Sequence, residues 1–247
     1  MYGVSVYFAY HYMQMSKNNT KILDSNFSHV HNPERTMRFQ KIAGCYDDEI
    51  GRDEFFMGIN WLRRMLLFWH AKGNCLEVGA GTARNLSYYK LASNVVHRVV
   101  LSDSSDQMLK QAQEKIQKLP AEKRSRFAVL QADAAHLDLP DNMFDTVIDT
   151  FGLCSFDDPQ AVLKEMARVC KPGGKILLLE HGRSHTWDFV TKHLDKHAEQ
   201  HAANWGCVWN RDLDGLLEKY GEDYAASLSV SEFSRKASTS VNGKQDQ

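Results

Sequence analysis

The sequence lacks the features that mark several broad classes of protein. Its 30 basic and 31 acidic side chains nearly cancel, so the excess positive charge that drives nonspecific binding to nucleic acid is missing. Five cysteines are scattered along the chain without a CxxC pair, which argues against a disulfide framework and a structural zinc site. We therefore expect no nucleic-acid partner and predict no metal site.

The chain also lacks an apolar run of the length that a membrane span needs. The first fifteen residues, MYGVSVYFAYHYMQM, are apolar and aromatic but are interrupted by His11 and Gln14, whereas a span requires about 20 apolar residues. We expect residues 1–20 to form an apolar N-terminal segment. Three alternatives stay open for it: the remnant of a membrane anchor, an interfacial helix, or a helix packed on the domain.

The remaining chain reads as one domain over residues 34–233, followed by a polar tail at 234–247 that is predicted to be disordered. Apolar residues recur at helical spacing between Asp53 and Trp69 and predict one amphipathic helix. From Gly73 onward, helical segments alternate with five apolar runs: CLEV, VHRVVLSD, RFAVLQAD, FDTVIDTF and KILLLEHG. This alternation predicts an α/β fold, with a doubly wound, mostly parallel sheet. The N-terminal helices precede it, and helices predicted over 184–205 and 210–220 would form a C-terminal lid.

A glycine-rich turn follows the first of these strands, in the run LEVGAGTA at residues 76–83. Gly79 and Gly81 permit a tight turn and let a cofactor approach the backbone closely. The usual dinucleotide motif has a third glycine, where this chain has Arg84. The negative charge of Glu77 suits the cationic sulfonium of S-adenosylmethionine (SAM) better than a pyrophosphate. The turn therefore favours SAM over NAD.

Two further acids stand at strand ends. Asp103 closes the second strand 24 residues after Gly79, and Asp133 ends the third. An isolated strand-end aspartate is often a helix cap or a solvated group. Because the carboxyl ends of parallel strands meet at one edge, where open α/β sheets bind ligands, Glu77, Asp103 and Asp133 together indicate a nucleoside cofactor.

The full set of motifs resembles the class I SAM-dependent methyltransferases over residues 46–220. The motifs are LEVGAGTARN, LSDSSDQML, LQADAAHLDLPDNMFDTVIDTFGLCS, LKEMARVCKPGGKILLLEHG and HAANWGCVWNRD. Within the superfamily, the chain is most similar to the branch of the membrane-associated thiol methyltransferases of animals and the mitochondrial inner-membrane methyltransferase-like proteins of fungi. It resembles the ubiquinone and menaquinone C-methyltransferases more distantly. The resemblance implies a Rossmann-like fold, SAM as the cofactor and a small-molecule methyl acceptor such as a thiol, a quinone precursor or a lipid-like compound.

The resemblance also assigns residues to the cofactor. They are Glu77, Gly79 and Gly81 at the methionine end, Asp103 at the ribose, Asp133 and Ala134 facing the adenine with Ser104 and Met108 flanking it, and Thr150 near the reacting end. The third glycine of the family motif is replaced by Ala83, which is a mild departure.

On the acceptor side, Glu180-His181-Gly182 resembles the strand-end motif of the family. His201 and residues 206–210 resemble the segment that folds over the active site. His181 and His201 are the candidate catalytic residues, as proton acceptors for a reluctant nucleophile. Cys207 is interpreted as a small packed residue rather than a reactive one. His193, His197 and His201 share a predicted helix face, but eight residues of helix rise about 12 Å, so the outer two cannot share an ion. A pair of them with a distant third ligand stays open as an alternative, and a solvated or pocket-facing row is the preferred interpretation.

The fungal relatives imply a mitochondrial location, at the inner membrane, and a cytoplasmic or other membrane-associated location stays open as the alternative. They also imply an alternative function as a noncatalytic SAM-binding scaffold or assembly factor at a mitochondrial membrane. The sequence assigns no oligomeric state. Class I members usually end with two more strands, but here only residues 226–233 offer a weak one, so this pair is predicted to be degenerate. The apolar strand Ile176–Leu179 would then lie at a sheet edge, and we predict that it is covered by residues 224–233, by a membrane or by a partner chain.

Overall fold

The structure is a computed structural model that describes residues 6–7, 33–184 and 186–221. The chain divides into two compact units, one of residues 1–12 and 29–211 and the other of residues 13–28 and 212–247. The first unit contains the sheet and every residue of the candidate site. Within the second, the structure describes a helix over 213–221, whose first turn is capped by the Asp212 carboxylate as it accepts from the Gly215 amide at 3.0 Å.

A six-stranded sheet forms the centre of the first unit. Its strands are β1 (Val6–Tyr7), β2 (Gly73–Val78), β3 (Val96–Asp103), β4 (Phe127–Gln131), β5 (Phe144–Thr150) and β6 (Cys170–His181). Their order is β1-β6-β5-β2-β3-β4, in which β2 to β6 pair in parallel and β1 pairs antiparallel with β6. The five predicted strands and their parallel arrangement are therefore confirmed.

Helices flank this sheet. They are α1 (Pro33–Ile42), α2 (Tyr46–Phe56), α3 (Ile59–His70), α4 (Asp106–Gln117), α5 (Ala121–Arg124), α6 (Pro159–Val169) and α7 (Asp188–Trp205). The sequence explains where α6 begins: the Asp158 carboxylate accepts from the Ala161 amide at 2.9 Å, and Pro159 occupies the first turn, where a missing N–H costs nothing.

The core lies along the two central strands. Leu76 and Val78 of β2 and Val147 and Ile148 of β5 are fully buried, and neighbours along a strand point to opposite faces of the sheet. Both faces are therefore covered, as the continuous apolar runs of the sequence predicted.

Two predicted helices differ from the structure. The single helix predicted over Asp53–Trp69 is two helices, α2 and α3, because Gly58 between them has a φ of +72° that an α-helix cannot continue. The helical segment predicted between the runs CLEV and VHRVVLSD is a series of turns. There Gly79, Gly81 and Ala83 all have a positive φ, of +58°, +54° and +60°, so a right-handed helix does not start.

Strand β6 is not bare, but the strand that pairs with it, β1, was not among the predicted covers. Its residues Leu177 to Leu179 are at most 6% exposed, and Val6 and Tyr7 pair antiparallel with His181 and Glu180. The alternative cover at 224–233, the tail at 234–247 and most of the segment 1–20 lie outside the described residues. Among the residues that the structure describes, no helix is long and apolar enough to cross a membrane.

Candidate functional site

The glycine turn and Asp103 are joined by the backbone. The Gly81 amide donates to one oxygen of Asp103 at 2.8 Å, and the Ser105 amide donates to the other at 2.9 Å. A Cβ added at Gly81 would meet nothing within 4 Å, whereas one at Gly79 would lie 3.0 Å from the ring of Phe156. The structure thus holds a carboxylate against a turn that has open space beside it.

The positions predicted around the adenine follow strands β3 and β4. These two strands pair in register as far as Asp103 and Gln131, so Ser104 and Asp133 emerge at the same edge of the sheet, and both are exposed. Ala134 and Met108 are 7% and 2% exposed. Met108 therefore packs into the interior, and its side chain offers little surface to a ligand.

Glu77 points into the domain rather than outward. Its side chain is buried, and its two oxygens accept from the Asn85 amide group at 2.9 Å and from the Tyr89 hydroxyl. Burial raises the pKa of Glu77 from 4.5 to about 7, although Tyr89, Arg63 and Asn85 act in the opposite direction. Its predicted role at the methionine end of SAM would therefore depend on its charge and on its support of the glycine turn.

A buried guanidinium connects this carboxylate to the next strand. Arg63 on α3 donates to Thr150 Oγ1 at 2.7 Å, to Asn85 Oδ1 at 3.1 Å and to Glu54 Oε1 at 2.9 Å. Its guanidinium carbon lies 4.9 Å from the ring centre of Phe151. Thr150 was predicted from the sequence, whereas Arg63, Glu54 and Asn85 were missed. A usable signal existed, because Arg63 interrupts the apolar stripe of α3.

Two buried carboxyls hold the loop after β5. Glu180 accepts from the amides of Gly152 at 2.7 Å, Leu153 at 3.1 Å and Cys154 at 3.4 Å, and Asp149 also accepts from Leu153 at 2.9 Å. Burial raises the pKa of both carboxyls, that of Asp149 to about 7, and the two groups also interact with each other. The conformation of this loop is thereby fixed by side chains of β5 and β6.

His181, at the end of β6, lies between this loop and the segment after α7. Its Nε2 is 2.9 Å from the sulfur of Cys207, and the ring of Phe151 meets its ring edge-on at 5.3 Å. Cys154 completes the group, and one ligand atom from each of Cys154, His181 and Cys207 lies within 4.8 Å of the others. Both thiols are buried, as predicted for Cys207. The chain spacing carries no sign that they converge.

His201 is held differently. Its ring stacks on Trp209 with centroids 3.9 Å apart and planes 12° apart. Burial, aided by the charge of His181, lowers the pKa of His201 to about 4. A base of that strength accepts few protons near neutral pH, so the structure favours His181 over His201 as a proton acceptor. His193 and His197 lie beside each other on α7, with ring centroids 4.8 Å apart.

Comparison with known proteins agrees with this architecture. The model of a family described as a methyltransferase domain matches residues 76–178, the part of the chain from the glycine turn to strand β6. Among solved structures, a putative methyltransferase from Bacillus halodurans superimposes with a TM-score of 0.54 at 21% identity, over 65% of this chain and 67% of that one. At this identity the likeness concerns the fold.

Curated relatives extend the match. The mitochondrial methyltransferase OMS1 of Saccharomyces cerevisiae is 36% identical over 73% of this chain and 40% of its own length. A phosphatidylethanolamine N-methyltransferase of Cereibacter sphaeroides is 39% identical over 44% of this chain and 51% of its own length. The chain thus spans about half the length of these two proteins. The ubiquinone/menaquinone biosynthesis C-methyltransferase UbiE of Shewanella halifaxensis is 30% identical over 71% of this chain and 70% of its own length. Since that match covers most of both proteins, the chain belongs to the class I SAM-dependent methyltransferases, near the branch of the yeast mitochondrial protein.

Proposed function

We propose that this protein transfers the methyl group of SAM to a small-molecule acceptor, for which a thiol, a quinone precursor and a lipid-like compound are the candidates. The observation that carries the proposal is Asp103, held against the Gly81 amide at 2.8 Å beside a turn with open space. When bound, SAM supplies a methyl group on a cationic sulfur. The buried charge of Glu77 near the turn favours such a cation.

In this proposal, the turn and the strand ends orient the cofactor. Each oxygen of Asp103 accepts one backbone amide and keeps a lone pair for a ribose hydroxyl. Gly79 and Gly81 face the methionine end, and the adenine lies against the segments of Ser104 and Met108 and of Asp133 and Ala134. The buried Thr150 hydroxyl accepts a hydrogen bond from Arg63 at 2.7 Å and supports the backbone near the methyl group of SAM.

The acceptor would approach the ends of β5 and β6, where the loop after Thr150 and His181 lie. Alignment of the nucleophile and exclusion of water are the main tasks in such a displacement. A thiol is partly ionised near neutral pH, whereas a hydroxyl needs a base. His181 is the proposed base, and an alanine substitution that leaves turnover unchanged would remove it from that role.

SAM is expected to raise the melting temperature of the protein, since a ligand that binds only the native state stabilises it by about 2.7 kcal/mol at 100 times its Kd. A thermal-shift series with SAM, S-adenosylhomocysteine and NAD checks this, and NAD serves as the control. Methyl-transfer assays on thiols, quinone precursors and phosphatidylethanolamine then test the reaction. SAM binding without transfer to any of them would favour the alternative, a noncatalytic scaffold.

Asp103→Asn is expected to weaken SAM binding at least tenfold, because hydrogen bonds to a charged group contribute roughly 1.5–3 kcal/mol and tenfold corresponds to about 1.4 kcal/mol. Isothermal titration calorimetry with SAM measures the change. Asp138→Asn, at an exposed position that follows β4 in the chain, is the matched control and should bind as the wild type does. Equal affinities for the two variants would contradict the assignment of Asp103.

The mitochondrial relative also supports a proposal about location. We place the protein in mitochondria, with residues 1–20 as a segment that associates with a membrane and residues 34–233 as the methyltransferase domain. Separation of mitochondria into soluble and membrane fractions tests this, and recovery of the protein outside mitochondria would contradict it.

A further inference from the structure

Three soft donor groups converge from distant parts of the sequence. Cys154 lies in the loop after β5, His181 ends β6, and Cys207 follows the C-terminus of α7. One ligand atom of each lies within 4.8 Å of the others, and His181 Nε2 is 2.9 Å from the Cys207 sulfur. Two thiolates and an imidazole are the donors that zinc prefers in proteins.

We propose that Cys154, His181 and Cys207 form a binding site for a soft divalent cation, zinc in the first place. Bonds of about 2.3 Å to sulfur and about 2.0 Å to nitrogen in a tetrahedral site separate the donors by about 3.5–3.8 Å. The present donor separations lie between 2.9 Å and 4.8 Å, so small side-chain adjustments suffice. On binding, two metal–sulfur bonds and one metal–nitrogen bond form, and the two thiol protons leave to solvent.

The backbone around the three donors is already fixed. The Val208 amide donates to the Cys154 carbonyl at 2.9 Å, which ties the segments of the two cysteines directly to each other. Glu180 accepts from the amides of the loop that carries Cys154 and neighbours His181 in the chain. Sites held within a fraction of an ångström by such supporting bonds bind metals with little reorganisation.

The ligand number indicates what the metal would do. Structural zinc sites have four protein ligands, whereas three leave a position open for water or a substrate. Cys154 and Cys207 are 1% and 7% exposed, but His181 is only partly buried, so access comes from the His181 side, where the acceptor is proposed to bind. This step rests on the proposed function: the open position would take a thiol acceptor, which loses its proton to solvent and binds as a thiolate. With a thiol acceptor, His181 would therefore act as a metal ligand, and its proposed role as a base would apply only to an acceptor that is not ionised near neutral pH.

Cobalt substitution tests the site without any methyl-transfer assay. The full chain, kept reduced with a phosphine and titrated with Co²⁺, is expected to bind one ion and to show thiolate-to-cobalt charge-transfer absorption in the near ultraviolet, which Zn²⁺ then displaces. Cys154→Ser, Cys207→Ser and His181→Ala should each weaken Co²⁺ binding at least 100-fold. Cys45→Ser is the matched control, because Cys45 is exposed and lies outside the group, and it should keep the wild-type spectrum.

The thermal shift with SAM serves as the folding check for each variant. A variant that keeps this shift and loses the cobalt absorption supports the site. A wild-type protein without the charge-transfer band, or one in which Cys154 and Cys207 form a disulfide under the reducing conditions, overturns it. Failure of the proposed function would instead appear as an intact cobalt spectrum without methyl transfer.

The open position has its own readout. Addition of 2-mercaptoethanol to the cobalt protein is expected to increase the charge-transfer absorption and to shift the visible bands, since a further thiolate joins the ion. A spectrum that does not respond to the thiol would overturn the open position.

Discussion

Replacing Arg63 with alanine is expected to lower the free energy of unfolding by about 3–5 kcal/mol, the usual cost of removing one partner of a buried ion pair. Arg63 is 4% exposed and Glu54, its ionic partner, is 5% exposed. The substitution also leaves Thr150 and Asn85 without the donor that they share. Arg84 still contacts Glu54 at 2.7 Å, which keeps the loss within this range. Urea unfolding followed by circular dichroism measures it.

The neighbouring position supplies the control for this variant. Arg64 carries the same side chain on the same helix but is exposed, and Arg64→Ala should change stability by less than about 0.5 kcal/mol. A similar loss in the two variants would show that the buried network adds nothing beyond the helix itself. Because the network includes Thr150, the Arg63 variant should also bind SAM more weakly at temperatures where it remains folded.

The sheet could be predicted because its strands are buried on both faces. Strand β3 is the run VHRVVLSD that the sequence indicated, from Val96 to Asp103, and β5 is the predicted run with its last residue removed. Such runs form strands wherever parallel pairing covers both sides. The strand ends therefore followed from the sequence as well, and with them the place of Asp103 at the edge beside Gly81.

Backbone conformations with a positive φ were harder to predict from the sequence. Gly58 divides α2 from α3 at φ +72°, and Ala83 has φ +60° within the turns after β2. Glycine can adopt helical φ values as well as positive ones, and alanine is ordinarily the best helix former. The tertiary contacts that select these conformations cannot be predicted from the local sequence. The helices predicted around Gly58 and Ala83 therefore differ from the structure.

Groups that come together only in the folded protein could not be predicted from the sequence for another reason. Cys154, His181 and Cys207 are separated by 27 and 26 positions along the chain, and no spacing rule connects them. Their approach depends on β5 and β6 being neighbours and on the segment after α7 returning to the same end of the sheet. The absence of a CxxC pair therefore argues only against metal sites whose ligands lie close together in the sequence.

The stability of the protein is expected to fall as the pH rises from about 5 to about 8, and Glu77 should account for a large part of the change. The unfolded chain releases the Glu77 proton near 4.5, whereas the folded protein retains it up to about pH 7. Between these values the folded state binds more protons, so the free energy of unfolding decreases with pH. A pKa raised from 4.5 to about 7 corresponds to about 3 kcal/mol.

Glu77→Gln separates this contribution from those of the other buried carboxyls. Glutamine can still accept from Asn85 and can donate to the Tyr89 oxygen, but it cannot ionise. The free energies of unfolding at pH 5 and pH 8 should therefore differ by about 2.5 kcal/mol less than in the wild type. Glu122→Gln, at an exposed position on α5, should leave the pH profile unchanged. An identical profile for Glu77→Gln and the wild type would mean that Glu77 is ionised throughout and that Arg63 fully compensates its burial. The negative charge proposed to favour SAM would then be present at every pH tested, and SAM affinity would stay constant between pH 6 and pH 8. If Glu77 instead ionises near pH 7, SAM affinity should rise over this range.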